Sequence, residues 1–509
     1  MLIQLTTKNL KQLKSNIVLY ECDSRYLKEL YEEYPSLIPY IQGIIEPNPR
    51  YRQNFLQIPF ILSEELKRID FENADILITS DYYEEAYKKL MTMGLSLPED
   101  IYYYANKESR LQLAYRKKLE KQPLKNMLLF RSGPHQDSYV HGMDFADNAR
   151  AVFSYMLSAG LDKKYRLVWL VKNPSEFRKI SNEHSNVEFV SWDDEFSEDE
   201  SVQKHYFEVL YLSKYILFTD AYGFARNCRK DQIRIQLWHG CGFKTRTNFV
   251  SCEHRYEYYI VISKMYKEIL RDVFGLRDDQ VVSTGYPKVD WLFHPVNAEM
   301  MERLGMRKAA KYIFWLPTFR AARGQLSELN ERAFTGDTGL PIFNKMHQLV
   351  ELNDILAFAD TVLILKLHPF QDESKIHLEK LSHIVSLNNE VLNQLGLQIN
   401  QVLGNADALI SDYSSVATEY LLLDRPMAFT VDDIESYKAS RGFLFDDIES
   451  YLPGVEIHDA EDFFQFVRET IAGIDAGRGK RETVAKKMLQ YRDDQSSKRV
   501  TEWMLGLNP

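Results

Sequence analysis

The chain has 509 residues, too many for one hydrophobic core, so we expect two or three domains. Hydrophobic residues make up 45% and charged residues 27% of the sequence, the balance of an ordinary globular protein. The formal net charge is −10, which argues against a nucleic-acid-binding protein, because such proteins need a basic surface.

The four cysteines predict a protein of a reducing compartment, because so few without CxxC spacing form neither a disulfide framework nor a zinc site. They are Cys22, Cys228, Cys241 and Cys252. The first twenty residues lack the apolar run of a signal peptide, and no apolar stretch approaches the roughly 20 residues of a membrane-spanning helix. We therefore expect any membrane contact to be peripheral.

The first hundred residues or so are predicted to form a small α/β unit. SNIVLYE (15–21) and ADILITS (74–80) have strand patterns, and a helical pattern (81–94) follows with Gly94 as its stop signal. The next segment, 106–126, is basic and helical. Two interpretations stay open for it: a solvated linker helix, or a helix attracted to an anionic membrane surface.

From residue 126 onward, short β-branched runs alternate with longer amphipathic stretches, the pattern of βαβ units and parallel sheets. The first series contains the strand candidates MLLF, LVWLV, VEFVSW, YILFT, IRIQLWH, YYIVI and VVSTG. After a polar helical connector (295–311), the second contains YIFWLP, VLILKLHP, HIVSL, ALISD and PMAFTV. Two such series predict two Rossmann-like lobes facing a cleft, with ligands at the carboxyl ends of the strands.

The most informative motif is IRIQLWHGCGFKTRTN, residues 233–248. We expect its strand to end in Trp238 and His239, after which two glycines allow a tight turn and Lys244 follows. Histidine can accept a proton near neutral pH, so His239 is a candidate general base. The alternative is a packed histidine at a strand end.

A second histidine ends a strand of the other series. In VLILKLHPF, residues 362–370, the strand is expected to end at His368, where Pro369 stops the hydrogen-bond ladder. Lys366 lies two residues earlier, on the same face if the strand continues to its end. Two histidines at strand ends of facing lobes suggest one shared site.

The third motif is ALISDYSSVATEYLLLDRP, residues 408–426, which predicts strand, polar turn and helix. Ser414 or Ser415 is a natural N-cap, and the free amides of the helix end would bind an anion such as phosphate. The alternative is a capped helix and nothing more. Glu419 is a candidate for a ribose hydroxyl, or else a surface carboxylate.

Weaker signals lie at other strand ends, and each alone is compatible with a simple turn. WLPTFR (315–320) offers Thr318 and Arg320 to phosphate oxygens. Gly285-Tyr286-Pro287 follows a strand, with Asp290 beyond it, and Arg441 precedes Gly442.

Taken in order, these motifs resemble those of the CDP-glycerol glycerophosphotransferase family, the teichoic acid polymerases and primases and related capsule polymerases. The ordered elements are WHG at 238, GYP at 285, PTFR at 317, LHP at 367, ISDYSS at 410, RP at 425 and RGF at 441. INQVLGNADAL (399–409) and the D-N-x-R element in FADNARAVFSYML (145–157) are similar to the family as well. The resemblance covers roughly residues 125–480 and leaves residues 1 to about 120 uncovered.

The resemblance implies an α/β protein of GT-B type, with two Rossmann-like lobes facing a central cleft and an additional small N-terminal α/β domain. The expected boundaries are 1–120 for the accessory domain with its basic helix, 121–300 for the acceptor lobe and 301–509 for the CDP-donor lobe. The implied reaction is attack of an acceptor hydroxyl on the β-phosphorus of a CDP-alditol, glycerol or ribitol, with release of CMP. The acceptor is expected to be an undecaprenyl-linked cell-wall or capsule polymer, at the inner face of the cell membrane.

Carried over residue by residue, the resemblance makes His239 the base and gives His368 the task of stabilising the departing CMP. On the donor side it implies Thr318, Arg320, Lys366, Asp412, Ser414, Ser415, Glu419 and Arg441. On the acceptor side it implies Gly240, Lys244 and Tyr286. No metal ligands are expected and no cofactor is implied, although a loosely held Mg²⁺ and a homo-oligomer are left open.

One departure from the family pattern follows WHG. The family often shows Thr-Pro and then Leu-Lys, whereas this chain has Cys241-Gly242-Phe243-Lys244, which predicts a more flexible loop with a thiol. Two competing functions remain, a GT-B glycosyltransferase using a nucleotide sugar and a non-catalytic scaffold of polymer assembly. The paired histidines favour phosphorus chemistry over the first, and the presence of both histidines and the serine pair argues against the second.

Overall fold

The structure is a computed structural model, and it describes residues 1–14, 16–22, 24–45, 58–61, 69–70, 73–80, 83–133, 142–219, 228–244, 256–317, 336–367, 376, 378, 380–440 and 442–507. The strands in chain order are β1 (Leu2–Gln4), β2 (Ile17–Tyr20), β3 (Ile41–Ile45), β4 (Asp75–Ile78), β5 (Ile101–Tyr103), β6 (Lys125–Arg131), β7 (Arg166–Val171), β8 (Val187–Ser191), β9 (Ser213–Phe218), β10 (Ile233–Gln236), β11 (Tyr258–Val261), β12 (Val281–Ser283), β13 (Lys311–Trp315), β14 (Thr361–Leu365), β15 (Ile384–Ser386), β16 (Ala408–Ser411), β17 (Met427–Thr430) and β18 (Val455–Ile457). The α-helices are α1 (Ser24–Glu33), α2 (Tyr83–Thr92), α3 (Lys107–Leu119), α4 (Asp147–Ser158), α5 (Arg178–Glu183), α6 (Glu200–Leu212), α7 (Lys264–Phe274), α8 (Ala298–Arg303), α9 (Met346–Phe358), α10 (Asn389–Gln394), α11 (Ile399–Leu403), α12 (Val416–Tyr420), α13 (Ile434–Ser440), α14 (Ala460–Ala472), α15 (Arg478–Met488) and α16 (Ser496–Leu505).

The described chain divides into two compact units, of which the first contains Met1–Lys125, Asp193–Lys214 and a short stretch ending at Gln232. Its sheet has the order β1-β5-β4-β2-β3, and its neighbouring strands are parallel. Alternate residues of β2 enter opposite cores, because side chains alternate across a strand. Leu19 packs with residues of α1, whereas Val18 packs with residues of α2.

Two helices of this first unit are held together by a stacked aromatic pair. The rings of Tyr115 in α3 and Phe207 in α6 lie 4.2 Å apart between centroids. The basic segment predicted to be helical is α3, and the Asn106 side chain caps it by accepting from the Ser109 amide at 2.8 Å. The sequence predicts strands β2 and β4 but not β1, β3 and β5, because β1 and β5 have three residues each and Gln42 and Gly43 interrupt the apolar run of β3.

The second unit contains the rest of the described chain and two sheets. The first has the order β12-β11-β10-β9-β6-β7-β8. The strand pairings from β6 to β8 and from β9 to β12 are parallel. The order reverses direction between β6 and β9, and at such switch points α/β sheets place their ligands beyond the carboxyl ends of the strands.

The other sheet has the order β15-β14-β13-β16-β17-β18, with parallel pairing throughout. Numbered from β13, this is 3-2-1-4-5-6, the strand order of a Rossmann fold. Its switch point lies between β13 and β16, the strands that precede the PTFR and DYSS motifs. Trp315, Phe343 and Phe463 lie buried at the centre of its core.

Strand ends differ from the prediction at two motifs. The WHG strand, β10, ends at Gln236 rather than at His239, and the LHP strand, β14, ends at Leu365, before Lys366. His239 and Lys366 therefore lie beyond the ends of the strands. The connector 295–311 is helical only over Ala298–Arg303, and β18 was not predicted.

The last helix, α16, packs against α4, the helix that follows β6 of the seven-stranded sheet. The Asp290 carboxylate accepts hydrogen bonds from the backbone amides of Ser496 at 2.9 Å and Ser497 at 2.7 Å, so it satisfies the free amides at the start of α16. The GYP segment is thereby held by the end of the chain.

Candidate active site

The WHG motif forms a tight turn directly after β10. Trp238 is fully buried and has a φ angle of 56°, in the left-handed region that bulky residues rarely adopt. Gly240 follows with a φ of 154°. His239 is half-buried between them, and its ring centroid lies 4.4 Å from that of Trp238. The turn, rather than the end of a strand, presents the imidazole.

Side chains from two other segments bind the backbone of this turn. Nδ2 of Asn148, at the start of α4, donates to the carbonyl oxygens of Leu237 at 3.2 Å and Trp238 at 2.8 Å. Nζ of Lys288, in the GYP segment, donates to the carbonyl of His239 at 2.7 Å. The D-N-x-R element thus has a structural task at the turn that carries the histidine.

Lys288 also joins this turn to the DYSS helix. Its Nζ lies 3.0 Å from Oε1 of Glu419 and 3.5 Å from Oδ1 of Asp147. The side chains of Lys288 and Glu419 are 11% and 4% exposed, so the pair is screened little by water. Burial alone would lower the pKa of Lys288, but the carboxylates of Asp147 and Glu419 outweigh it and raise that pKa. Lys288 is therefore a cation at neutral pH.

Glu419 is fixed from a second side by α11. Nδ2 of Asn400 donates to Oε2 of Glu419 at 2.9 Å, so both carboxylate oxygens have protein partners. A ribose contact at Glu419 stays a prediction, and it requires one of these partners to share an oxygen.

The WHG turn lies directly on the DYSS motif. A Cβ atom added to Gly240 would lie 2.7 Å from the Ser415 hydroxyl oxygen, and one added to Gly242 would lie 3.2 Å from the Ser415 backbone nitrogen. Both glycines are thus needed for close approach. Two motifs separated by more than 170 residues in the sequence are therefore in direct contact.

The DYSS segment differs from a simple capped helix. Helix α12 begins at Val416 after Ser415 as N-cap residue, but the Ser415 side chain makes no capping hydrogen bond. The Ser414 hydroxyl accepts from the Val416 amide at 3.5 Å, a long contact. Asp412 is fully buried at the end of β16. The serine side chains are therefore not used up by strong capping bonds.

The loop after the WHG turn pairs with the RGF segment. Lys244 and Phe443 form an antiparallel bridge, and the Leu444 amide donates to the Phe243 carbonyl at 2.8 Å. The Lys244 ammonium lies 5.6 Å from the centroid of the Tyr437 ring, within cation–π range. The segment following Arg441 thus closes over the loop that carries Lys244.

The cysteine that departs from the family pattern is packed inside the site. Cys241 is 3% exposed, and its Sγ lies 2.7 Å from the hydroxyl of the fully buried Tyr286. Oη of Tyr266 donates to the carbonyl of Gly242 at 3.3 Å. Tyr286, which was predicted on the acceptor side, therefore packs against the residue that follows the WHG motif.

Of the remaining predicted site residues, the structure describes Lys366 but not the other four. Lys366 is buried, and its Nζ donates to the carbonyl of Leu367 at 2.9 Å. His368, Thr318, Arg320 and Arg441 lie outside the described residues. The pairing of His239 with a second histidine therefore stays a prediction.

Sequence reasoning missed Lys288 and Asn400 and assigned no role to Asn148. The available signal was the rule already applied elsewhere, that polar residues after parallel strands meet at one edge. Lys288 follows the GYP turn after β12, and Asn148 opens the helix after β6, next to the switch point.

Two further properties of the described ranges concern metal binding and membrane insertion. Within them, no group of three or more His, Cys, Asp or Glu side chains is placed to hold a metal ion. None of the helices in those ranges combines the length and the apolar character needed to cross a bilayer.

Similar proteins include several from teichoic acid synthesis. The teichoic acid ribitol-phosphate primase of Bacillus spizizenii is 27% identical over 297 residues, which cover 54% of this chain and 70% of that protein. The ribitol-phosphate polymerase TarK of Staphylococcus aureus is 29% identical over 295 residues, covering 54% of this chain and 52% of TarK. The glycerol-phosphate primase of Bacillus subtilis is 29% identical over 271 residues, covering 50% of this chain and 63% of that protein. The matches thus span only about half the length of the polymerase TarK.

The solved structure of the wall teichoic acid polymerase TagF has the same fold. It superimposes with a TM-score of 0.58 at 18% identity, over 78% of this chain and 93% of that one. The predicted α/β fold with parallel sheets, of GT-B-like type, is confirmed. Residues 122–506 match the sequence profile of the family described as CDP-Glycerol:Poly(glycerophosphate) glycerophosphotransferase. That profile covers most of the chain, so the chain belongs to the CDP-glycerol:poly(glycerophosphate) glycerophosphotransferase family, a family of phosphotransferases, as its motifs predicted.

Proposed function

We propose that this chain transfers glycerol phosphate or ribitol phosphate from a CDP-alditol to a hydroxyl of a lipid-linked cell-wall or capsule polymer, with release of CMP. Family membership supports the donor class, and the relatives named for ribitol-phosphate and glycerol-phosphate primases support both alditols. The observation that carries the proposal is the packing of Gly240 against Ser415, which joins a candidate base to a candidate phosphate-binding turn.

In the proposed reaction the acceptor hydroxyl oxygen attacks the β-phosphorus of the CDP-alditol. Its proton passes to the imidazole of His239, the bond from the β-phosphorus to the bridging oxygen breaks, and CMP leaves. Phosphoryl transfer depends mainly on positioning and charge neutralisation, which a site without covalent catalysis can supply. His368 is assigned to the departing CMP.

The donor side is assigned to the second Rossmann-like half. Thr318, Arg320, Ser414, Ser415 and Arg441 would contact phosphate oxygens, and Lys366 and Asp412 would support them. Glu419 is assigned to the ribose. Gly240, Lys244 and Tyr286 are assigned to the acceptor side, because they belong to the WHG turn or pack beneath it.

The finer organisation is part of the same proposal. Residues 1–120 would form an accessory domain, 121–300 an acceptor lobe and 301–509 a donor lobe, with the site in a central cleft. The acceptor would be an undecaprenyl-linked polymer, reached from the cytoplasmic face of the membrane by peripheral attachment.

A donor panel tests the proposal. The purified full chain is incubated with a lipid-linked glycerol-phosphate or ribitol-phosphate acceptor and, in separate reactions, with CDP-glycerol, CDP-ribitol and UDP-sugars. We expect CMP only with a CDP-alditol, together with one alditol phosphate added to the acceptor per CMP. UMP or UDP release would support the glycosyltransferase alternative instead, and absence of any transfer with an intact fold would support the scaffold.

A further inference from the structure

We propose that Asn148 and Lys288 are positioning residues that clamp the backbone of the WHG turn and thereby aim the His239 imidazole. The inference rests on the proposed function, because it gives the two residues a task in that reaction. Neither residue is assigned to substrate. Both act through the turn that carries the candidate base.

Three consecutive carbonyl oxygens of the turn are held by these two side chains. Asn148 binds those of Leu237 and Trp238 at 3.2 and 2.8 Å, and Lys288 binds that of His239 at 2.7 Å. The clamp is also internally connected, since the Lys288 amide donates to Oδ1 of Asn148 at 3.0 Å. The hydrogen-bond ladder of the sheet does not extend to these carbonyls, so the side-chain donors satisfy them instead.

The backbone at Trp238 explains why a clamp is needed. A φ of 56° is unfavourable for a residue with a large side chain, and such a conformation persists only where the surroundings enforce it. Trp238 is fully buried, so its ring cannot swing out to relieve the turn. Asn148 binds the carbonyl of Leu237 and the carbonyl of Trp238 itself, so it holds the two peptide groups that flank the strained residue.

Lys288 is itself fixed by two carboxylates. An ammonium has three protons, and here its partners are the His239 carbonyl, Glu419 at 3.0 Å and Asp147 at 3.5 Å. Asn400 holds Glu419 from α11 at 2.9 Å. A continuous chain of contacts therefore runs from the DYSS helix to the histidine backbone.

These contacts predict which kinetic constant changes when Asn148 or Lys288 is replaced. A misplaced catalytic group lowers the rate of the chemical step by about 100-fold for a shift near 1 Å. Asn148 binds the WHG turn rather than a residue assigned to the CDP-alditol, so Asn148→Asp should change the KM for this donor little. Lys288→Met also releases Glu419, which is assigned to the ribose, so the KM of this variant should rise. A residue with only a structural task would lower the amount of folded protein and leave kcat per folded molecule intact.

The experiment compares Lys288→Met and Asn148→Asp with a matched control, with the conservative variant Lys288→Arg and with a double variant. Lys288→Met removes the donor to His239, and Asn148→Asp replaces the amide donor by a carboxylate of equal size. Lys311→Met is the matched control, because Lys311 also donates to a backbone carbonyl, that of Thr470, away from the site. The double variant Lys288→Met/Asp147→Asn restores the net charge of the buried group.

We expect kcat per folded molecule to fall about 100-fold in both clamp variants, with KM for the CDP-alditol within about threefold of wild type in Asn148→Asp. Lys311→Met should keep its kcat, and Lys288→Arg should recover part of the loss with an unshifted pH profile. The double variant should regain thermal stability but not kcat. If Lys288→Met and Asn148→Asp keep kcat within threefold of wild type, the proposal that these residues position His239 is wrong.

A second readout separates this inference from the proposed function. The rate at which diethylpyrocarbonate modifies His239, followed by peptide mass spectrometry, needs no substrate. We expect modification at least about threefold faster in Lys288→Met and Asn148→Asp than in Lys311→Met, because the half-buried imidazole is released. A wild-type chain that releases no CMP refutes the proposed function, whereas equal modification rates in all variants refute the clamp.

Discussion

Gly240 packs against Ser415 so closely that a Cβ atom on Gly240 would lie 2.7 Å from the Ser415 hydroxyl oxygen and 3.0 Å from its Cβ. The same Cβ would lie 3.4 Å from Oε1 of Glu419. This contact joins the turn after β10 to the turn after β16. The chemistry assigned to the site depends on this close approach between Gly240 and Ser415.

Gly240→Ala should therefore damage both stability and activity. The added methyl group meets Ser415, and the φ of 154° is one that an L-residue rarely adopts. We expect the free energy of unfolding to fall by about 1–3 kcal/mol, measured by urea denaturation, and CMP release to fall at least about tenfold. Gly479→Ala is the control, since nothing lies within 4 Å of a Cβ there and it should lose neither. Equal behaviour of the two variants would contradict the close approach.

The pH dependence of stability should change when Lys288 is replaced by Met. In the wild type the carboxylates raise the pKa of Lys288 despite its burial, so it stays charged across the neutral range. Burial already raises the pKa of Asp147, and Lys288 opposes that shift. Without Lys288, the negative charge of Glu419 is no longer balanced, so the pKa of Asp147 rises further above its value in the unfolded chain. A carboxyl with a raised pKa stabilises the fold at low pH and loses that contribution as the pH rises.

The difference in Tm between wild type and Lys288→Met should therefore be small near pH 5 and larger near pH 8. Removing one partner of a buried ion pair costs about 3–5 kcal/mol when the other charge stays uncompensated. Differential scanning calorimetry across this range measures it. The double variant Lys288→Met/Asp147→Asn should show a flatter dependence of Tm on pH. A Tm difference that shrinks with rising pH would refute the charge balance between Lys288 and the carboxylates of Asp147 and Glu419.

Tyr286→Phe tests the packing beneath the WHG turn. It removes the hydroxyl that contacts Cys241 at 2.7 Å, and Tyr215→Phe removes one that donates to the Leu507 carbonyl at 3.3 Å, away from the site. Each should cost about 1 kcal/mol of unfolding free energy. Only Tyr286→Phe should raise KM for the acceptor, by about threefold to tenfold, in initial-rate assays. A raised KM in both variants, or in neither, would argue against an acceptor role for this turn.

The sequence predicted the fold class well, because parallel strands buried on both faces are continuous apolar runs. Every strand candidate between residues 126 and 284 corresponds to one of β6 to β12. Four strands were missed: β1, β5 and β18 have three residues each, and Gln42 and Gly43 interrupt the apolar run of β3. Their identity depends on neighbours that are distant in the sequence.

For the site, the WHG and DYSS motifs were predicted to lie at strand ends facing one cleft, and Gly240 of the first motif does contact Ser415 of the second. The pairing of His239 with His368 stays a prediction. The sequence did not predict that Lys288 would bind the His239 backbone, because a lone lysine after a turn has no pattern. Nor could it predict the left-handed Trp238, since tryptophan has no preference for that conformation and tertiary contacts impose it. The departure at Cys241 was predicted as a looser loop, yet the thiol is buried against Tyr286.

The most direct test of the account is CMP release by the His239→Ala variant in the presence of its CDP-alditol and lipid-linked acceptor. Removing a general base lowers the rate by about 10²–10⁴-fold, so we expect kcat to fall in that range while CDP-alditol binding, measured by equilibrium dialysis, stays within about threefold. His458→Ala, which changes a histidine whose side chain is 61% exposed, is the control and should keep wild-type kcat. CMP release by His239→Ala at more than a third of the wild-type rate would contradict the assignment of His239 as the base.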